Sequence, residues 1–162
     1  MPVKITRLDI EGFRSLRKVS WQPGDLNVVI GPNGSGKSNL LHFLELISVS
    51  AQGRLGKYIQ SLGGMDAIVW DGVADSIKFS MGMPHESDEL WRLNYYELEL
   101  LKLGAGSSYK VGRELLSGGT DKERLKFIDR DSIRAVILSD YELYQNVPFE
   151  SLSDEDRRQN HL

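Results

Sequence analysis

The chain lacks cysteine, so it holds neither a disulfide framework nor a zinc site built on thiolates. It has no apolar run near the ~20 residues that a membrane-spanning helix requires. Its first ten residues also lack the apolar segment of a secretory signal. We therefore expect a cytoplasmic location and no membrane partner. The net charge of −3 excludes a whole-domain electrostatic attraction to DNA.

One glycine-rich string carries most of the functional information. Residues 31–38 read GPNGSGKS, which fits the phosphate-binding pattern G-x-x-x-x-G-K-[ST] at every fixed position. The apolar run 26–30 (LNVVI) before it predicts a buried strand. Residues 37–47 after it predict a helix with Leu40, Phe43, Leu44 and Ile47 on one face. The string therefore has the strand–turn–helix setting of a phosphate-binding loop, and we use that name for residues 31–38.

Each residue type in this loop suits the binding of a triphosphate. Gly34 and Gly36 allow the backbone to bend so that successive N–H groups point inward at an anion. The helix that begins near Lys37 adds free N–H groups and its positive dipole end. Lys37 is expected to reach the β- and γ-phosphates, and the Ser38 hydroxyl is expected to ligate Mg²⁺. The guanine-reading pattern Asn-Lys-x-Asp is missing, so the expected cofactors are ATP and Mg²⁺.

The variable positions of the loop, with Asn39 after it, resemble ABC-type ATPases of the RecF and SMC kind. The opening stretch ITRLDIEGFRSLRKVSW is similar to the same proteins, most of all to predicted bacterial ATPases labelled AAA. The likeness is specific over residues 3–47. It implies that Asn33 lies near the γ-phosphate and that Arg14 lies beside the nucleotide; the alternative for Arg14 is a solvated surface residue. The expected nucleotide-binding residues are Arg14, Gly31, Pro32, Asn33, Gly34, Ser35, Gly36, Lys37, Ser38 and Asn39, with Ser38 also a metal ligand.

The rest of the chain predicts an α/β fold in which the P-loop NTPase core precedes an antiparallel, β-rich subdomain. We expect one partial ATPase domain with a core at 1–62, the subdomain at 63–149 and a polar tail at 150–162. Predicted strands are 3–11, 17–21, 76–83, 89–103, 109–116, 125–128 and 135–138. The loop helix is expected at 37–50 with an extension to about 60, a helical turn at 65–70, and a hairpin turn at 104–107. The whole resembles the N-terminal lobe of ABC-type ATPases.

Two further strings resemble the signature and Walker B motifs of such an ATPase. Residues 116–119 spell LSGG, the ABC signature, and Asp140 follows an apolar run as a Walker B aspartate does. However, residues 120–124 lead into a strand-like segment rather than a helix, and Ser139 separates Asp140 from the apolar run. We interpret 117–119 as a hairpin turn and 135–138 as an ordinary strand.

The resemblance therefore implies an ATP-binding N-terminal half with no catalytic residue of its own. Hydrolysis would need a C-terminal lobe and the pairing of two heads, as a homodimer, in a parent that serves DNA repair, chromosome maintenance or phage defence. DNA is a possible partner through a basic patch of Lys4, Arg7, Arg14, Arg17 and Lys18. The alternative, which we favour, is that these residues form a solvated rim on two edge strands. The alternatives are a transporter ATPase subunit, which the β-rich stretch disfavours, and a non-catalytic interaction module, which the intact Lys37 and Ser38 disfavour.

Overall fold

The computed structural model describes residues 4–83, 93–104, 108–119, 124–131, 135–139 and 142–147. The strands are β1 (Arg7–Phe13), β2 (Leu16–Trp21), β3 (Ser76–Gly82), β4 (Leu93–Lys102), β5 (Tyr109–Gly119), β6 (Arg124–Asp131), β7 (Ala135–Ser139) and β8 (Glu142–Val147). The helices are α1 (Lys37–Ala51), α2 (Leu55–Ser61), α3 (Met65–Ile68) and a 3-10 turn at Trp70–Gly72. None of these described helices has both the length and the apolar character needed to cross a bilayer.

All eight described strands join one sheet in the order β2-β1-β3-β4-β5-β6-β7-β8, and every neighbouring pair is antiparallel. The predicted antiparallel meander is confirmed from β3 onward, with β8 as a strand that the sequence did not indicate. The first hairpin joins this meander directly, because Ile10 of β1 lies opposite Phe79 of β3. The β1–β2 hairpin and the β-rich part therefore share one sheet.

The helices pack on one face of this sheet because alternate residues of β1, β3 and β4 are apolar. Phe43 of α1 is fully buried, and its ring meets Phe13 and Phe79 edge-on with centroids 5.2 and 5.4 Å apart. Such pairs contribute about 0.5–1.5 kcal/mol beyond the area they bury. The core continues with Leu8, Ile10, Leu46, Ile59, Met65, Ile68, Ile77, Leu98 and Leu100. This core fixes α1, and with it the loop at its N-terminus, against the sheet.

The prediction for residues 26–30 was wrong. The segment forms no strand, and its apolar side chains are exposed by 85% at Leu26, 76% at Val28, 51% at Val29 and 87% at Ile30. A strand needs a neighbour for its backbone hydrogen bonds and a surface to bury its side chains. No described strand pairs with this segment, so neither requirement is met.

Other predictions also differ from the structure: β1 lies at Arg7–Phe13 rather than 3–11, and β6 is longer than the predicted 125–128. The loop helix does not run on to residue 60, because Gly53 takes a positive φ of 68° and separates α1 from α2. Residues 117–119 lie inside β5, paired with β6, so the predicted hairpin turn there was wrong. They do not open a helix, so the signature-like string lacks the structure a signature has. The expected turn residues 105–107, Asp140 and the tail 150–162 lie outside the described residues.

Candidate nucleotide site

The phosphate-binding loop has the left-handed backbone that its glycines allow. Gly34 and Gly36 have φ of 83° and 92°, values that a residue with a side chain rarely adopts. The Ser35 N–H donates to the Pro32 carbonyl at 3.3 Å, which closes the loop on itself. The sequence therefore encodes this bend locally, through the positions of two glycines.

Helix α1 begins at the end of the loop with its first N–H groups available. Gly36 is the N-cap residue and has no side chain to cap the helix, and the first turn carries no acidic residue. The positive end of the helix dipole is thus not neutralised by a carboxylate of its own first turn. This is the arrangement in which a helix N-terminus binds a phosphate group.

Lys37 places its ammonium group over the loop. Its Nζ donates to the carbonyl oxygens of Gly31 and Pro32, each at 2.7 Å, and lies 3.4 Å from the Ser35 hydroxyl. These contacts hold a positive charge at the glycine-rich turn, where a phosphate would be recognised.

A pocket of about 290 Å³ follows the same stretch of chain. Its lining consists of Asn33, Gly34, Ser35, Gly36, Lys37, Ser38 and Asn39. Gly31 and Pro32 do not line the pocket, but their carbonyl oxygens accept hydrogen bonds from Lys37. The structure therefore brings together nine of the ten expected residues, and their contact with a nucleotide stays a prediction.

Arg14 lies on the neighbouring β1–β2 turn and contacts α1. Its Nη1 lies 2.9 Å from Nδ1 of His42, and its backbone N–H donates to the Ile68 carbonyl at 2.8 Å. Its φ of 46° is unusual for a residue with a side chain, and the surrounding contacts hold it there. Arg14 is therefore half-buried against the helix rather than a freely solvated arginine. Its predicted place beside the nucleotide stays a prediction.

Ser15 is a residue of the site that the sequence analysis missed. Its hydroxyl accepts a hydrogen bond from Asn39 Nδ2 at 2.8 Å and lies against Gly36. A serine in a turn carries no signal of such a contact. Only the small residue after Arg14 in the Phe-Arg-Ser turn could have suggested a close approach.

Most cations of the basic stretch at the start of the chain have contacts inside the protein. Lys4 pairs with Asp25, and Arg7 donates to Asp9 at 2.7 Å, which holds the pKa of Asp9 below its ordinary value. Arg17 lies over the ring of Trp70, 5.0 Å from the centroid. With Arg14 on His42, four of the five cations of the predicted patch have contacts inside the protein. Among the described residues, only Lys4 and Arg7 of this patch are paired with carboxylates, and a DNA contact through the patch stays a prediction.

A second, smaller cavity of about 90 Å³ lies between the sheet and the α1–α2 junction. Its floor includes a buried polar group, in which Glu114 pairs with Arg130 and accepts from the Tyr96 hydroxyl at 2.7 Å. Burial, with the nearby Glu114 charge, raises the pKa of Tyr96 far above its ordinary range. The ion pair offsets the cost of burying the charges of Glu114 and Arg130.

The residues of the loop fit a Mg²⁺ ion bound together with phosphates. Within the described ranges no group of three or more His, Asp or Glu side chains could hold a metal by itself. Magnesium often binds through one or two protein oxygens plus phosphate oxygens, so the exposed Ser38 hydroxyl suits it.

Comparison with known proteins agrees with this geometry. The sequence profile of a family described as AAA ATPase domain matches residues 3–91, more than half of the chain. The chain is also 38% identical over 55 residues to the DNA replication and repair protein RecF of Marinomonas sp. (strain MWYL1). That match covers 33% of this chain and 15% of the RecF protein.

Proposed function

The chain belongs to the AAA ATPase domain family, and from that premise we propose that it is the ATP-binding N-terminal half of a RecF-like ATPase. ATP is bound through its phosphates by residues 31–39, with the Lys37 ammonium on the β- and γ-phosphates. The parent works in the cytoplasm, in DNA repair, chromosome maintenance or phage defence, and pairs two such heads. The RecF relative, by its name, supports this assignment.

The observation that carries the proposal is the coincidence of three features at one point. The left-handed Gly34 and Gly36, the uncapped start of α1 and the Lys37 ammonium all lie at the same turn. Each supplies donors or positive charge, and a triphosphate requires several of them at once. A glycine-rich turn with a purely structural role requires neither the lysine nor an uncapped helix.

Ser38 and Asn33 complete the proposed site. Ser38 would hold the Mg²⁺ ion, which supplies charge neutralisation across the phosphate oxygens when bound. Asn33 lines the pocket and would lie toward the terminal phosphate. Arg14, which reaches α1 one helical turn further on, would contribute positive charge at the edge of the site.

Hydrolysis requires more protein than this chain contains, on our proposal. The matched stretch is 15% of the RecF relative, and the exposed segment 26–30 supports a missing neighbour. Burying one Val, Leu or Ile side chain contributes about 1.5–3 kcal/mol, and this segment leaves four such residues in water. A C-terminal lobe of ABC type would cover this segment and supply the groups for hydrolysis.

Calorimetry of the full chain with ATP and with GTP, with and without Mg²⁺, tests the proposal. We expect Mg²⁺-dependent binding of ATP that Lys37→Ala weakens by about 10- to 100-fold, since hydrogen bonds to charged groups contribute about 1.5–3 kcal/mol. Ser38→Ala is expected to reduce the effect of Mg²⁺ on binding. Lys57→Ala, which removes an exposed lysine of α2, is the matched control and is expected to leave binding unchanged.

Two results would contradict the proposal. Equal binding by the Lys37→Ala and Lys57→Ala variants would show that the loop does not bind the phosphates. Rapid ATP turnover by the isolated chain, lost in Lys37→Ala, would show that no further lobe is needed.

A further inference from the structure

The β1–β2 turn is joined to the start of α1 by a hydrogen bond between Ser15 and Asn39. Asn39 Nδ2 donates to the Ser15 hydroxyl oxygen at 2.8 Å, across 24 residues of sequence. Asn39 lies in the first turn of α1, directly after the Lys37 and Ser38 pair. This bond therefore ties the turn to the part of the helix that carries the proposed phosphate contacts.

The same hydroxyl lies against the last glycine of the loop. A Cβ atom placed on Gly36 would lie 2.7 Å from Ser15 Oγ and 3.6 Å from Leu16 Cδ2. By contrast, a Cβ on Gly34 would meet nothing within 4 Å. The turn thus supports the loop on one side, at the glycine where the loop becomes helix.

The turn is itself firmly held, so it is a rigid support. The Arg14 N–H donates to the Ile68 carbonyl at 2.8 Å, and Phe13 forms a β-bridge with Val69. Phe13 and Leu16, on either side of the turn, are both buried in the core. A displacement of Ser15 would have to disturb these contacts.

A second contact joins the turn to the same face of α1. Arg14 Nη1 meets His42 Nδ1 at 2.9 Å, and His42 lies three residues after Asn39, a spacing that puts both on one helix face. Arg14 and Ser15, which are adjacent in the turn, therefore contact His42 and Asn39, which lie one helical turn apart on α1. The relative position of turn and helix is fixed at both points.

We infer that Ser15 is a positioning residue for the phosphate-binding loop: through Asn39 and Gly36 it fixes the loop and the start of α1 in the shape that receives phosphate. This inference deepens the proposed function and rests on it for its effect on ATP binding. The effect of Ser15 on the shape of the loop is expected with or without bound nucleotide. Ser15 does not touch the nucleotide; it acts through the loop.

Substitution at Ser15 tests the inference in the full chain. Ser15→Ala is expected to speed amide hydrogen exchange at residues 34–40 without nucleotide and to weaken Mg-ATP binding about five-fold, the size of one exposed hydrogen bond. Ser15→Thr, which keeps the hydroxyl, is expected to restore both. Ser48→Ala removes an exposed hydroxyl elsewhere on α1 and is the matched control, with no expected effect.

The exchange measurement separates positioning from general stability. A loss of global stability would speed exchange in β3 and β4 as well, whereas positioning affects only the loop and the first turn of α1. The double variant Ser15→Ala with Asn39→Ala is expected to lose less ATP affinity than the sum of the losses in the two single variants, because either substitution alone already breaks the bond between them.

Unchanged loop exchange in Ser15→Ala would overturn the inference, as would exchange that rises equally in Ser48→Ala. If the unaltered chain binds no ATP, the proposed function fails, and the exchange result alone decides about Ser15. Faster loop exchange then still supports positioning.

Discussion

Tyr58 joins α2 to α1 through its hydroxyl group. The hydroxyl donates to Glu45 Oε2 at 2.7 Å and lies 3.4 Å from the His42 carbonyl oxygen. The pKa of Tyr58 is raised from 10.0 to about 12. The main cause is burial of the hydroxyl group, and the second is its hydrogen bond to Glu45. Because His42 also meets Arg14, this tyrosine supports the helix that carries the loop.

The raised pKa of Tyr58 predicts a loss of stability in alkali. The unfolded chain releases this proton near pH 10, whereas the folded chain keeps it until about pH 12, so the free energy of unfolding falls as pH rises between these values. Tyr58→Phe removes this proton and is expected to make the fall shallower. Urea unfolding of both proteins at pH values below and above 10 measures how steeply the free energy of unfolding falls.

Other tyrosines also contribute to the loss of stability in alkali, so Tyr58→Phe is expected to remove only part of it. The pKa values of Tyr95 and Tyr109 are also raised, chiefly by burial, so some loss must persist in the variant. An identical pH dependence in Tyr58→Phe and the unaltered protein would contradict the prediction.

At the scale of the element, α1 has two sharply different faces. Leu46 is fully buried, while Leu41 is 67% exposed on the same helix. The sequence predicted a face of Leu40, Phe43, Leu44 and Ile47, and all four pack on the core. Helical periodicity thus located the buried face, and the structure adds Leu46 to the residues on it.

This asymmetry gives a matched pair of variants. Leu46→Ala is expected to lower the free energy of unfolding by about 2–5 kcal/mol, because it leaves a cavity under the helix. Leu41→Ala makes the same chemical change at the surface and is expected to stay within about 0.5 kcal/mol. Urea unfolding compares them, and equal losses would contradict the packing of α1.

At the scale of the whole molecule, the exposed segment 26–30 stands directly before the loop. Its side chains at Leu26, Val28 and Ile30 are all more than three-quarters exposed. A run of exposed apolar side chains is typical of a surface that contacts other protein. We therefore relate this surface to the missing lobe of the proposed function.

Val28→Asp tests this relation. In the isolated chain the substitution is expected to leave the free energy of unfolding within about 0.5 kcal/mol and to reduce self-association, because Val28 is 76% exposed. Urea unfolding and light scattering measure the two effects. A large loss of stability would show that the segment is packed within this chain.

The features that the sequence predicted depend on local geometry. The loop follows from two glycines, a lysine and a serine at fixed spacing, and the strands β3 to β6 follow from alternation and from the turns between them. The position of Ser15 could not be predicted, because it depends on contacts across 24 residues. The LSGG string likewise has no local feature that distinguishes a turn from the strand it forms.

The sequence by itself determined the family, the bend of the loop and the buried face of α1, since glycine dihedrals and helical periodicity act over a few residues. Tertiary structure alone decided that Ser15 supports Gly36, that four of the basic residues have contacts inside the protein, and that 26–30 is exposed. The apolar run 26–30 has the composition of a buried strand. Whether such a run becomes a strand depends on a neighbour to pair with, and no described strand provides one.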